Sequence, residues 1–460
     1  MYNKINVILK GKNILCKVFY YKSYDFNEQT GDLVLNYAVS EGNTVLHTFE
    51  EHLYFPKIPF SLTESQRLIL NDIFFLTHIA FGISYYKTFC PETIIIESGV
   101  LSQTQAVFFN RFYVNGLGEF AVRNNMNLQG KISFPYGEGT TKKHNTDLKN
   151  RYLVPVGGGK DSCLTLEILK KIGLDCQAIS VGLPRPIQEC IHVSALDSIA
   201  LTRKISPHLI ELNQSGTVKN GHVPITGMLA FVLWASAVLY NYQYVALSCE
   251  RSANNGNLMQ GDLMVNHQYS KSFEFEQNFY EITRAITPDF RYFSLLRPLS
   301  EIAIARLFAC ECQAYFPVFT SCNKAFKLDE TKRLERWCGN CDKCRFVFLI
   351  LAPFVDKEIL VRYVGTNPLN DDTQTEGFKE LLGLSGHKPF ECVGEIEESR
   401  YAFMMLSEQP QWQNDAVIQA LIDSVRQVQN FNDLPDLFTP SGAHLIPSEI
   451  ETQIMQKFRS

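Results

Sequence analysis

Residues 154–173 read VPVGGGKDSCLTLEILKKIG, and the order of residue types in this stretch decides the fold around it. A strand-like apolar run ends at Val156, three glycines follow, and an amphipathic helix is expected to start near Asp161. Gly173 stands where a helix commonly ends on a left-handed glycine. Successive glycines let main-chain N–H groups approach an anion without Cβ obstruction. A helix start adds unpaired N–H donors and a partial positive charge, so the loop suits phosphate. Lys160 offers a point charge and the Ser162 hydroxyl a further donor. The spacing is neither GxxxxGK[ST] nor GxGxxG, which excludes two other glycine-rich phosphate loops.

On either side of this loop, strand-like runs alternate with helical ones. RYLVPV (151–156), QAISVGL (177–183), HLIEL (208–212) and YVALSC (244–249) read as strands. CLTLEILKKIG (163–173), ECIHVSALDSIALTRK (189–204) and GMLAFVLWASAVLYN (227–241) read as helices between them. Such alternation predicts a parallel sheet in an α/β fold, with ligands at the carboxyl ends of the strands. Upstream, INVIL (5–9), ILCKVFYY (14–21), DLVLNYAV (32–39) and NTVLHTF (43–49) are rich in β-branched and aromatic residues and read as strands. From Thr63 the period turns helical through Leu68, Leu70, Ile73, Phe74 and Leu76, and 101–125 reads as helix as well. The polar stretch 134–150 reads as a connection. The expected organisation is an N-terminal α+β domain over 1–148, a nucleotide-binding domain over 149–362 and an acidic, mainly helical region over 363–460.

Composition limits the function class. Of 460 residues, 45% are apolar and 20% charged, the values of an ordinary globular chain rather than a disordered one. The net charge is −5. Residues 363–460 hold 15 acidic and 6 basic side chains, a net of −9, which leaves +4 for residues 1–362. A nucleic-acid-coating surface is therefore not expected, and anionic small ligands are better received in the first four-fifths of the chain. The longest apolar run, Met228–Tyr240, is shorter than the ~20 residues of a membrane span. The start, MYNKINVILKGKN, lacks the apolar segment and cleavage site of a secretion signal. A cytoplasmic enzyme without membrane partners is expected, with its thirteen cysteines mostly reduced.

Three of those cysteines form CxxCxxC at Cys338, Cys341 and Cys344, and Cys322 lies sixteen positions upstream of the first. Four thiolates with no open coordination position suit a structural zinc; an iron–sulfur cluster is the other reading of the same set.

GGGKDS resembles the SGGxDS signature of the PP-loop ATP pyrophosphatases, whose fold is a HUP-like, Rossmann-type parallel sheet. Gly158, Gly159, Asp161 and Ser162 match it; Lys160 falls on its variable position, and Gly157 stands where that family has serine. The resemblance implies ATP and Mg²⁺ as cofactors, cleavage of ATP to AMP and pyrophosphate, and nucleotide contacts from Gly157, Gly158, Gly159, Lys160, Asp161 and Ser162. It also places the strand carrying Ser180 and Val181 beside the adenine, and makes Lys160, Asp161 and Ser162 catalytic. HVPITGML, SCERSANNGN, VNHQYSKS and LRPLSEIAIARLF resemble segments of cyano-deazaguanine synthase, a PP-loop enzyme closed by a similar cysteine set. The N-terminal domain, GGGKDS, SCN and WCGNCDKCRFVFLILAPF together look like the MurL family of UDP-N-acetylmuramoyl-L-alanyl-L-glutamate epimerases. That resemblance implies ATP-dependent inversion of the terminal L-Glu of a UDP-muramoyl dipeptide through an acyl-adenylate, in peptidoglycan precursor synthesis. Another adenylating PP-loop enzyme, modifying a nucleobase or tRNA or forming an amide or nitrile, is the alternative.

Epimerisation needs proton transfer at both faces of an α-carbon. His222, Glu250, Arg251, His267, Lys271 and Glu274 lie in loops expected at the carboxyl edge of the sheet. His267 and Glu274 are taken as acid/base candidates, and Arg251 and Lys271 as binders of substrate anions.

Overall fold

The computed structural model describes residues 17–138, 143–144, 146–327, 329–386, 388–431 and 436–459. The expected strand INVIL therefore lies outside the described residues. Eleven strands are described: β1 (Lys17–Asn27), β2 (Asp32–Glu41), β3 (Thr44–Tyr54), β4 (Thr93–Ile96), β5 (Tyr152–Pro155), β6 (Cys176–Val181), β7 (Ser198–Lys204), β8 (Tyr244–Leu247), β9 (Leu258–Gln260), β10 (Leu263–Val265) and β11 (Arg291–Ser294). Nine of them form one sheet in the order β11-β8-β5-β6-β7-β3-β2-β1-β4, and β9 and β10 form a separate ribbon. The chain is a mixed α/β protein around a mostly parallel sheet.

The five strands β11-β8-β5-β6-β7 run parallel. The chain moves outward from β5 through β6 to β7, then returns to place β8 on the other side of β5. The gap between β5 and β8 is thus the point where strand order reverses, and ligands of open α/β sheets bind outside the strand ends there. β3 pairs antiparallel with β7 at Leu53 and Arg203, so the N-terminal meander β1–β3 continues the same sheet without a break across residue 148.

Alternation along the parallel strands explains the packing. Leu153, Ile179, Val245 and Tyr292 face a core shared with the meander and with the helices Glu64–Phe81, Ile225–Tyr240 and Phe273–Ile286. Tyr152, Val154, Tyr244, Ala246 and Phe293 face a second core with the helices Lys160–Lys171, Glu301–Glu311 and Asp342–Leu351 and with the C-terminal helices. Both faces are covered, as a parallel sheet requires. Helical stretch Glu64–Phe89 is long and apolar enough to span a bilayer by composition, but 78% of its apolar window is buried inside this core. Its start is a capping box between Thr63 and Gln66, at the position the helical period predicts.

Two local expectations are overturned. The run 189–204 is not one helix: Arg185–Ser194 ends at Ala195 in a left-handed conformation (φ 56°), and Ser198–Lys204 becomes β7. Its β-branched and apolar residues fill the slot between β6 and β3, and tertiary pairing overrides the helical pattern. HLIEL is not a strand but the first half of helix Pro207–Ser215, with proline at its first position. The stretch 101–125 is two helices, Gln103–Gly116 and Gly118–Arg123, separated at Leu117.

Candidate active site

The glycine loop leaves the carboxyl end of β5 at the reversal point. Gly158 adopts φ +80°, and a Cβ there would lie 3.3 Å from the Ile187 nitrogen. A Cβ on Gly159 would come within 3.0 Å of the Ser321 hydroxyl. Gly157 differs: nothing lies within 4 Å of an added Cβ, because this residue borders an open cavity. Gly159 caps helix Lys160–Lys171 without a side-chain bond, which leaves the first-turn N–H donors free of side-chain acceptors. The cradle therefore fits an anionic ligand on its own backbone.

Gly157, Gly159, Lys160, Asp161 and Ser162 line a cavity of about 300 Å³. Its other walls come from distant parts of the chain, among them Thr226, Lys271 and Glu301. Leu247 ends β8 and Ser248, Cys249 and Glu250 follow it, Thr320, Ser321, Asn323, Lys343, Phe346 and Val347 flank the cysteine cluster, and Cys392 arrives from the C-terminal region. Lys160 is buried, and its ammonium contacts both Asp161 and Glu301. Burial alone would depress its pKa, but the two carboxylates outweigh it and keep the side chain charged. Burial raises the Glu301 carboxyl above the usual carboxylate range, and its pairing with Lys160 opposes that rise.

At the far side of the cavity Lys271 donates to the Cys392 sulfur across 3.0 Å. Beyond it, His267 bonds Glu119 through Nδ1 and meets Cys392 as well. The His222 ring lies 4.5 Å between centroids from that of His267, tilted at 48° to it, with its Nδ1 3.5 Å from the same Glu119 oxygen. Burial lowers the His267 pKa, yet Cys392 and Glu119 overcome this and raise it to about 9. Burial and the neighbouring His267 push His222 down to about 4, so it is neutral. Burial would raise the Cys392 thiol, but Lys271, Lys343 and His267 hold it well below the usual thiol range. A second cavity of about 620 Å³ adjoins the first, and the two share Thr226, Lys271, Asn323, Lys343 and Cys392.

The other candidates fall elsewhere. Ser180 is buried on β6 with no hydrogen-bond partner for its hydroxyl, and Val181 is half-buried at the strand's end; neither lines the cavity beside the loop. Arg251 turns away to bond Ser441. Glu274 lines a separate recess with Asn254 and Phe273, where its carboxylate accepts from Tyr269 at 3.5 Å. Glu119, Glu301 and Cys392 are the participants that the sequence did not single out.

Cys322, Cys338, Cys341 and Cys344 converge, their sulfurs all within 4.8 Å of one another. Cys341 and Cys344 are 3.4 Å apart and Cys338 and Cys344 3.6 Å. Four sulfurs at about 2.3 Å from one ion require separations of this order, so the set could bind a metal such as zinc. The cluster lies at the start of helix Asp342–Leu351, whose N-terminal half presents Lys343 and Phe346 to the cavity.

The chain matches the family model described as MurL N-terminal domain over residues 12–295. It matches that described as MurL C-terminal domain over residues 318–434. Three relatives are similar over nearly their whole length, each named UDP-N-acetyl-alpha-D-muramoyl-L-alanyl-L-glutamate epimerase. The protein of Xanthomonas oryzae pv. oryzae is 38% identical over 94% of this chain and 95% of its own. That of a Micromonospora species is 39% identical over 93% and 96%, and that of Salinispora tropica 40% over 94% of each.

Proposed function

The chain belongs to the MurL family of epimerases, and from that premise we propose that it inverts the terminal L-glutamate of UDP-N-acetylmuramoyl-L-alanyl-L-glutamate at the expense of ATP. The observation that carries this reading is that the glycine loop after β5 opens into the same cavity as Glu250, Lys271 and Cys392. A phosphate site and a set of proton-transfer and anion-binding groups thus face one shared cavity. The loop's fit to an anion supports the PP-loop reading of the core, in a cytoplasmic step of peptidoglycan precursor synthesis.

The chemistry needs such a pairing. An α-proton beside a carboxylate is very weakly acidic, because its removal would create a dianion. ATP supplies the remedy: transfer of AMP to the carboxylate cancels its charge, makes the carbonyl an electron sink and releases pyrophosphate. In this chain Gly157, Gly158 and Gly159 present the backbone donors, and Ser162 adds its hydroxyl. Lys160 holds its charge through Asp161 and Glu301. Asp161 is the loop carboxylate available to the Mg²⁺ that accompanies the triphosphate. Lys271 supplies a cation for the substrate's side-chain carboxylate or for phosphate. The adjoining 620 Å³ cavity has room for the peptide and sugar portion of the substrate. The four cysteines would hold a structural zinc, which would fix the wall carrying Lys343.

Incubation with ATP, Mg²⁺ and the UDP-muramoyl-L-Ala-L-Glu substrate in deuterated water tests the reading. D-Glu carrying α-deuterium, formed together with AMP and pyrophosphate, is the expected result. A stereocentre that stays L with no pyrophosphate released would overturn it.

A further inference from the structure

Cys392 is the feature of this cavity that the proposed nucleotide chemistry leaves without a task. Three buried thiols outside the metal-binding set behave in the opposite way: burial raises Cys249 to about 12, and Cys163 and Cys312 are likewise held up. Cys392 instead lies between two cations and an imidazole and borders both cavities. Its environment reproduces the logic of an activated thiol, in which a histidine meets the sulfur and a carboxylate, here Glu119, orients that histidine. The residues come from four separate stretches, at 119, 267, 271 and 392, and the packing of Gly394 against Phe346 and Glu301 leaves no room for a Cβ beside this turn.

We propose that the Cys392 sulfur is the group that removes the α-proton of the glutamyl residue, with Lys271 and His267 holding it as a thiolate. This rests on the epimerase reading above and names the base that reading requires. The thiolate takes the proton to become a thiol, and the C–H electron pair moves into the activated carbonyl as an enolate. A water molecule in the adjoining cavity delivers a proton to the opposite face, the carbonyl re-forms with the configuration inverted, and a second water then cleaves the acyl–phosphate bond to release AMP and the D-glutamyl carboxylate. The hydroxide left by the first water takes up the thiol proton through solvent, which restores the thiolate. No bond from sulfur to carbon forms.

The test separates the two half-reactions. Exchange of labelled pyrophosphate into ATP reads adenylation, and incorporation of solvent deuterium at the α-carbon reads proton transfer. For Cys392→Ala, deuterium incorporation is expected to fall ~100-fold or more while pyrophosphate exchange is lowered far less. Deuterium incorporation at the wild-type rate would overturn the proposal, and so would an equal loss of both half-reactions in Cys392→Ala and Cys392→Ser alike. An acyl group found on Cys392 after acid quenching would also overturn it, since the sulfur would then be a nucleophile. Should Cys392→Ala fail to fold, the wild-type enzyme alkylated by iodoacetamide in the absence of substrate gives the same comparison. Absence of pyrophosphate exchange in the wild type, with deuterium still incorporated, would remove the adenylation reading but leave the thiol in place.

Discussion

Arg297 and Glu276 form an ion pair at 2.9 Å in which both side chains are almost closed to solvent. The same guanidinium donates to the Glu250 carbonyl at 2.8 Å and to the Lys271 carbonyl at 2.5 Å, while Glu276 accepts from the Ser294 N–H at 3.1 Å. One buried pair thus ties the loop after β8 to the turn carrying Lys271, the two segments that face the glycine loop across the cavity. Removing one partner leaves an uncompensated buried charge. Arg297→Met is therefore expected to lower unfolding free energy by about 3–5 kcal/mol in urea titrations, and adding Glu276→Leu should recover much of it. Equal stability of Arg297→Met and wild type would show that the pair does not hold these loops.

Gly157 and Gly158 should separate when substituted. Gly158→Ala places a side chain at φ +80° and close to the Ile187 nitrogen, and should cost at least ~1–2 kcal/mol. Gly157→Ala meets no protein atom, so thermal unfolding should be unchanged. Its methyl group would project where the loop meets the cavity and should weaken nucleotide binding measured calorimetrically. Gly157→Ser adds a hydroxyl there and is expected to bind better than Gly157→Ala. Asp161→Asn and Ser162→Ala should abolish pyrophosphate release without altering the circular dichroism spectrum; undiminished release would remove the nucleotide from this loop.

The cysteine cluster makes a prediction about content as well as stability. About one zinc per chain is expected by elemental analysis of protein purified without chelator. Cys341→Ser should lower the melting temperature and release the wall around Lys343, because metal binding to such a site is also folding energy. Iron with an absorbing chromophore would reassign the cluster, and no metal at all would refute it.

How much of this was visible beforehand depends on the range over which each feature is specified. The turn from Val156 to Lys160 is written in consecutive residues, so loop, helix start and C-terminal glycine could be read directly. CxxCxxC is equally local, and Cys322, sixteen positions upstream, completes the set as the sequence implies. β7 is not legible in the sequence because Ser198–Lys204 continues the helical spacing of the preceding residues, and only the open slot between β6 and β3 makes it a strand. Cys392 and Glu119 were illegible for a stronger reason. Nothing within ten residues of either distinguishes it from an ordinary core or surface side chain, and their meaning arises from His267, which stands between them in space. Arg251 and Glu274 show the converse, since they sit in loops at the expected edge of the sheet but face Ser441 and Tyr269.

The pair of His267 and Glu119 should leave a mark on stability in alkaline solution. The folded pKa of His267, about 9, lies above the ordinary 6.5, because contacts with Cys392 and Glu119 outweigh burial. A raised pKa means that the folded state binds the proton more tightly than the unfolded chain. The resulting stability is fully present below pH ~6.5 and is lost as pH rises through ~9. At 1.36 kcal/mol per pKa unit it amounts to about 3 kcal/mol. The difference in unfolding free energy between wild type and His267→Gln should accordingly shrink by about that amount from pH 6.5 to pH 10. Glu119→Gln should move the midpoint of the loss toward neutrality, as the imidazolium then lacks its carboxylate. His222, held near 4 by burial and by His267, should show no titration over this range in an NMR experiment. A gap between wild type and His267→Gln that is constant with pH would mean that His267 is neutral, and that the thiol beside it is held by the lysines alone.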